Sequence, residues 1–256
     1  MLKVITVHSA RTGTGKSTLV ANMATLLAAA GQRVGVLDTN LKACSQHRFF
    51  GLPEEQITCA FNDYLLGQCD GTQITYDVTP NLNITTDGKL WLIPATNSHN
   101  NLKRVLGEGY VVELVTDGLH ELAQHLALDV LLIDTPALLS DETLLSILSL
   151  AIADTVAIVL QLDQTNYQGT GVMIDVVRTL EVPRLWLVIN QVAAFFDLEA
   201  VRQRVEQVYQ CEVATVFPYV DEIQALAGTD LFVLKYPQHS IIHHMGDLTR
   251  TLIRQV

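Results

Sequence analysis

The chain has 256 residues, 49% of them hydrophobic, and a formal net charge of −11. That content can fill the core of one large domain, and the acidic balance argues against nucleic acid as a partner, because phosphate contacts need clustered Lys and Arg. Four scattered cysteines, Cys44, Cys59, Cys69 and Cys211, form no CxxC pair; they suit free thiols in a reducing cytoplasm, not a disulfide frame or a zinc site.

Residues 3–7 form an apolar run entered almost at once, which predicts a strand and no signal peptide. The segment Ser9-Ala10-Arg11-Thr12-Gly13-Thr14-Gly15-Lys16-Ser17-Thr18 follows, and a helical pattern covers 16–30. Strand, glycine-bearing loop and helix are the setting of a phosphate loop, although Ala10 stands where the full pattern has glycine. Gly13 and Gly15 let backbone N–H groups turn toward phosphate. The helix dipole and Lys16 favour the β- and γ-phosphates, and the Ser17 hydroxyl suits Mg²⁺.

The next run, 33–37, ends at Asp38. Residues 67–89, with Gly67, Gly71, Pro80 and Gly88, are the least regular and predict an excursion with a small hairpin. A strand at 90–93 and a helix at 111–125 lead to the buried run 130–133, which ends at Asp134. An apolar strand ending in Asp is a common turn starter; behind a phosphate loop it places a carboxylate for Mg²⁺. Helices at 141–152, 167–180 and 198–209 alternate with strands at 155–160, 185–189 and 213–216. The apolar stretch 144–162 is broken by Ser146, Ser149, Asp154 and Gln161, too interrupted to span a bilayer.

Strands apolar on both faces and separated by helices predict an α/β fold: one doubly wound, mostly parallel sheet with helices on both faces, a single domain over 1–256. Lys16 with Ser17, Asp38 and Asp134 then meet around one phosphate–magnesium centre. His239 and His243 have i,i+4 spacing but no evident third ligand, so a metal there is not expected. Arg178, Arg184, Arg202 and Arg204 read as solvated helix faces.

The loop at 9–18, Leu37-Asp38-Thr39-Asn40, Ile133-Asp134-Thr135-Pro136, Val188-Ile189-Asn190-Gln191 and Phe217-Pro218-Tyr219 together resemble the MinD/ParA family of deviant Walker-A ATPases, in the family's order over nearly the whole chain. The resemblance implies ATP and Mg²⁺ as ligands, with Thr12 to Thr18 on the phosphates, Asn190 reading the adenine edge and Pro218 and Tyr219 lining its other side. It implies an ATP-dependent homodimer in which Arg11, standing where the family has its signature lysine, reaches the partner's phosphates. It also implies a protein partner whose identity surface positions do not reveal.

Thr12 replaces a family glycine near the dimer contact. Asn40 replaces a carboxylate near the attacking water; it can bond water but cannot take its proton. Two readings follow: a dimerisation switch with slow ATP hydrolysis, or an ATP-binding regulatory or scaffold module with little turnover. A small-molecule kinase would need an Arg-rich lid, and an iron–sulfur carrier paired cysteines; neither is present. The MinD branch holds membrane with a terminal amphipathic helix. Here Ile241, Ile242, Met245, Leu248, Leu252 and Val256 have helical spacing but only Arg250 and Arg254 beside Asp247, which predicts packing on the domain and no stable membrane binding.

Overall fold

The computed structural model describes residues 2–97, 104, 105, 107, 109–137 and 143–254. Each apolar run read as a strand is one: β1 (Lys3–His8), β2 (Arg33–Asp38), β4 (Lys89–Ile93), β5 (Val130–Asp134), β6 (Thr155–Leu160), β7 (Leu185–Val192) and β8 (Val213–Pro218). A two-residue β3 (Tyr76–Asp77) pairs antiparallel with Trp91 and Leu92 of β4, so the hairpin expected within 67–89 takes its second strand from beyond that segment. The remaining pairings are parallel, in the order β3-β4-β2-β5-β1-β6-β7-β8. From β1 the chain moves outward through β2, then returns beyond β5 to β6 on the other side. The strand order therefore reverses at β1, and its C-terminal end opens the crevice where such sheets bind ligands.

Alternate side chains serve opposite faces. Val130 and Leu132 join one core with α1 (Lys16–Ala29) and the terminal helix, while Leu131 and Ile133 join another. The second face carries α3 (Phe61–Leu65), α4 (Val112–His125) and α5 (Thr143–Ala151). Beyond β1, α6 (Gln164–Thr179) and α7 (Leu198–Tyr209) cover β6 to β8. Short helices α2 (Gln46–Phe49), α8 (Asp221–Ala225) and α9 (Phe232–Lys235) precede α10 (Ile241–Ile253).

Helix α10 lays Ile241, Met245, Leu248 and Leu252 into the core against α1 and β8. Its apolar stripe is consumed by packing, as the shortage of basic residues predicts. Among the described residues no helix is long and apolar enough to cross a membrane. Val256, and Asp141 at the start of an expected helix, lie outside the described residues.

Three readings need correction. Cys59 and Cys69 are disulfide-bonded, their Cα atoms 6.5 Å apart, so only Cys44 and Cys211 are free. Helix α3 folds this ten-residue segment back on itself, a closure without periodic signature. His239 lies in the turn before α10, not on a helical face; its Nδ1 accepts from Ile241 N–H and its ring meets Phe232 edge-on. Arg178 caps α7 through the carbonyls of Tyr209 and Gln210, and Arg202 bonds Val213 O, so these arginines staple elements together.

Candidate functional site

The loop between β1 and α1 turns with Gly13 at φ 79° and Gly15 at φ 91°, left-handed conformations that favour glycine. A Cβ on Gly15 would also meet Asn190 Nδ2 at 2.4 Å. Ala10, in place of the first glycine, fits because Gly169 of α6 faces it: a Cβ there would lie 2.4 Å from that of Ala10. The extra methyl on the loop is thus offset by a missing one on the helix.

Lys16 is buried, and its Nζ donates to Ser9 Oγ at 2.8 Å. Burial lowers the pKa of its ammonium against the opposing pull of Asp134. Asp38 and Asp134, register partners on β2 and β5, are both buried. Burial and the Asp134 charge push Asp38 up to about 8, while three backbone N–H groups, from Ser45, Gln46 and Asn40, hold its oxygens. Burial raises Asp134 as well, opposed by Lys16 and by a hydrogen bond from Ser17. One Asp134 oxygen, Oδ1, is buried without a hydrogen-bond partner among the described residues. Two buried carboxylates with a neighbouring hydroxyl form a hard-oxygen donor set that fits a hydrated divalent cation.

A cleft of about 380 Å³ is lined by Lys16 and Ser17, the neighbours of this centre. Its lining combines Thr12, Gly13, Gly15, Lys16, Ser17, Thr18 and Asn40 with the apolar Phe217, Pro218, Val220, Ile241 and Met245. The volume and the mixed lining suit a nucleotide, polar groups for its phosphates and apolar ones for its base. Asn190 lines it too, with Nδ2 donating to Thr14 O at 2.7 Å and Oδ1 accepting from Gln191 N–H. One amide hydrogen and one lone pair remain for a base edge. A register break in β7 between Ile189 and Val192 turns both side chains to the loop. Thr14 has its side chain buried inward. Tyr219 is 47% exposed and lies outside the cleft lining, where Phe217 and Val220 take the place expected for it. Arg11 is exposed, its guanidinium 3.6 Å from Asp163, the N-cap of α6.

A family model described as ParA, the NUBPL iron-transfer P-loop NTPases, matches residues 1–205. The chain belongs to this ParA/NUBPL family. An ATP-binding protein of Methanocaldococcus jannaschii is 28% identical over 255 residues, 99% of this chain and 88% of the relative. The MinD cell division protein of Aquifex aeolicus superposes with TM-score 0.78 at 19% identity, covering 99% of this chain and 98% of that one. The septum site-determining protein MinD of Pyrococcus horikoshii, solved with Mg-ADP, gives 0.77 at 19%, covering 98% and 96%. At those identities the two structures show a shared fold.

Several residues around this ParA-family cleft carry no motif. Gln161 and Gln191, from the ends of β6 and β7, each donate to Gly13 O at 3.3 Å and bond each other, bracketing the loop tip. Arg48 brings a cation to the α2 side of the cleft. His8 ends β1 fully buried; Thr135 Oγ1 donates to Val7 O and so accepts from His8 Nδ1, leaving Nε2 unpartnered.

Burial, with the Lys16 charge, lowers His8 from 6.5 to about 3. The unfolded chain then binds a proton that the folded one refuses between these values. Stability from neutral His8 is complete above pH 6.5 and is lost as pH falls toward 3. The unfolding free energy of the parent minus that of His8→Asn should rise by about 1.4 kcal/mol per unit near pH 4.5 to 5.5, by half that at 6.5, and level off above 7. Denaturant titrations of both proteins measure it; a difference independent of pH would mean that His8 protonates freely in the fold.

Proposed function

We propose that this ParA-family P-loop ATPase binds Mg-ATP in the cleft, pairs face to face with a second copy, and hydrolyses slowly, so that nucleotide state controls engagement of a protein partner. The observation that carries this reading is the meeting of the Lys16–Ser17 loop with Phe217, Pro218 and Val220 in the lining of one cleft. The Mg-ADP complex of the P. horikoshii MinD lends support on a shared fold. Bound Mg²⁺ would neutralise phosphate charge; Ser17, Asp38 and Asp134 are the residues to hold it. Lys16 would exchange Ser9 for phosphate oxygens, and the loop N–H groups would orient the chain of phosphates.

Asn40 favours a second reading, a nucleotide-stabilised regulatory or scaffold module with little turnover, because no carboxylate stands at that point of the cleft. The iron-transfer role in the family description is not carried over. Cys59 and Cys69 are bonded together and Cys44 is buried, leaving Cys211 as the single part-exposed thiol. Among the described residues no three His, Cys, Asp or Glu side chains gather as a metal site.

Arg11 connects binding to pairing. Its ion pair with Asp163 is exposed on both sides, a kind worth about 0–1 kcal/mol. A partner's phosphate in a water-excluded interface offers a charge-assisted bond of roughly 1.5–3 kcal/mol, so exchange is favourable. Arg11→Ala should raise the ATP-dependent dimer dissociation constant about 10- to 100-fold, with monomer affinity for ATP nearly unchanged. Light-scattering chromatography with a non-hydrolysable ATP analogue, beside an ATPase assay, tests both points. A parent that stays monomeric at saturating analogue would remove the switch and leave the scaffold reading.

A further inference from the structure

Gln46 opens α2 with its side chain fully buried between the two carboxylate-bearing strand ends and the first turn of α1. Its Nε2 donates to Asp134 Oδ2 at 2.7 Å and to Ser17 O at 3.1 Å. Ser17 O is a pure acceptor, which fixes the amide nitrogen on that side. The other amide atom, Oε1, is buried and has no hydrogen-bond partner among the described residues, and the same is true of Asp134 Oδ1. Two groups bonded to one another thus each keep an unsatisfied buried oxygen at the same centre. Buried acceptors are costly unless a donor is presented to them. Water held by a cation on Ser17 and Asp134 is such a donor. The backbone extends the connection: Gln46 N–H and Ser45 N–H both donate to Asp38 Oδ2, and Asn40 N–H to Oδ1. The start of α2 therefore ties both carboxylates to the segment that carries Asn40.

We propose that Gln46 is a positioning residue for the hydrated divalent cation of the bound nucleotide: Nε2 fixes the Asp134 carboxylate, and Oε1 accepts from a cation-held water. This rests on the Mg-nucleotide reading above. An amide suits the place because it donates and accepts at once, which a leucine cannot do and a carboxylate could do only when protonated.

The test compares ADP affinity by calorimetry with Mg²⁺ and with EDTA, for the parent, Gln46→Leu and Gln46→Met, the two variants guarding against a folding defect in either. Affinity in EDTA should change by no more than about twofold, while the Mg²⁺-dependent gain should fall about 10- to 100-fold, the range expected for an outer-shell partner. A paramagnetic-resonance titration of Mn²⁺ into the ADP complex should show the same fall in cation affinity. If the parent itself gains nothing from Mg²⁺, the Mg-nucleotide reading fails. If the parent gains and the variants keep the full gain, or lose affinity equally in EDTA, the role of Gln46 alone is overturned.

Discussion

Lys16→Ala is expected to abolish nucleotide binding, the largest effect of any single change in the cleft. The ammonium is buried, rests on Ser9 Oγ at 2.8 Å and faces Asp134. A triphosphate brought into the loop meets backbone N–H groups and the α1 dipole, but these are partial charges. Arg11 points away to Asp163, and Arg48 lines the α2 side. Lys16 is therefore the full cation that can meet β- and γ-phosphate oxygens from within the loop. Removing one member of a buried charge pair costs roughly 3–5 kcal/mol, much of it the stranding of the other charge, which corresponds to about a 10²- to 10³-fold loss or more. Calorimetry with ATP and Mg²⁺, with circular dichroism to show that the fold persists, measures it. Binding within about tenfold of the parent would mean the phosphates lie elsewhere, since such a small change is under 1.4 kcal/mol.

The features legible in the sequence have local signatures. Val130 to Ile133 is apolar at every position, so it reads as a strand buried on both sides, and the acidic residue that ends it falls at the crevice by geometry. The glycine spacing before Lys16 identifies its loop because the backbone there needs positive φ. The illegible features depend on meetings between distant segments. Arg11 and Asp163 are far apart in sequence, and nothing near either one announces the ion pair. Ala10 reads as a defect of the loop until Gly169 is seen against it. Gln46, Gln161 and Gln191 are ordinary polar residues in the sequence; a buried bond to Asp134 makes Gln46 part of the site, and a shared acceptor, Gly13 O, does so for the other two. Tyr219 fits the family motif yet is absent from the cleft lining, and its backbone N–H bonds Val192 O.

Asn40→Asp should accelerate ATP hydrolysis. Asn40 is half-buried, lines the cleft two residues beyond Asp38, and its Oδ1 accepts from Ala43 N–H at 3.2 Å. An aspartate can keep that bond and the backbone bond to Asp38 while adding a second oxygen able to orient water and take its proton. Positioned acid–base groups contribute roughly 10²–10⁴-fold. Much of phosphoryl transfer is electrostatic and already assigned to Lys16 and the cation site, so a gain of about 10²-fold is expected. A third carboxylate beside Asp38, itself pushed up to about 8 by burial and Asp134, adds like charge to a crowded centre. A divalent cation relieves that repulsion, so the variant should reach its full rate at lower Mg²⁺ than the parent. Single-turnover hydrolysis across a Mg²⁺ series separates the two effects: a higher plateau reached at lower Mg²⁺ is the expected form. Equal plateaus would show that the water position lies away from Asn40, and the slow-hydrolysis reading would lose its structural basis.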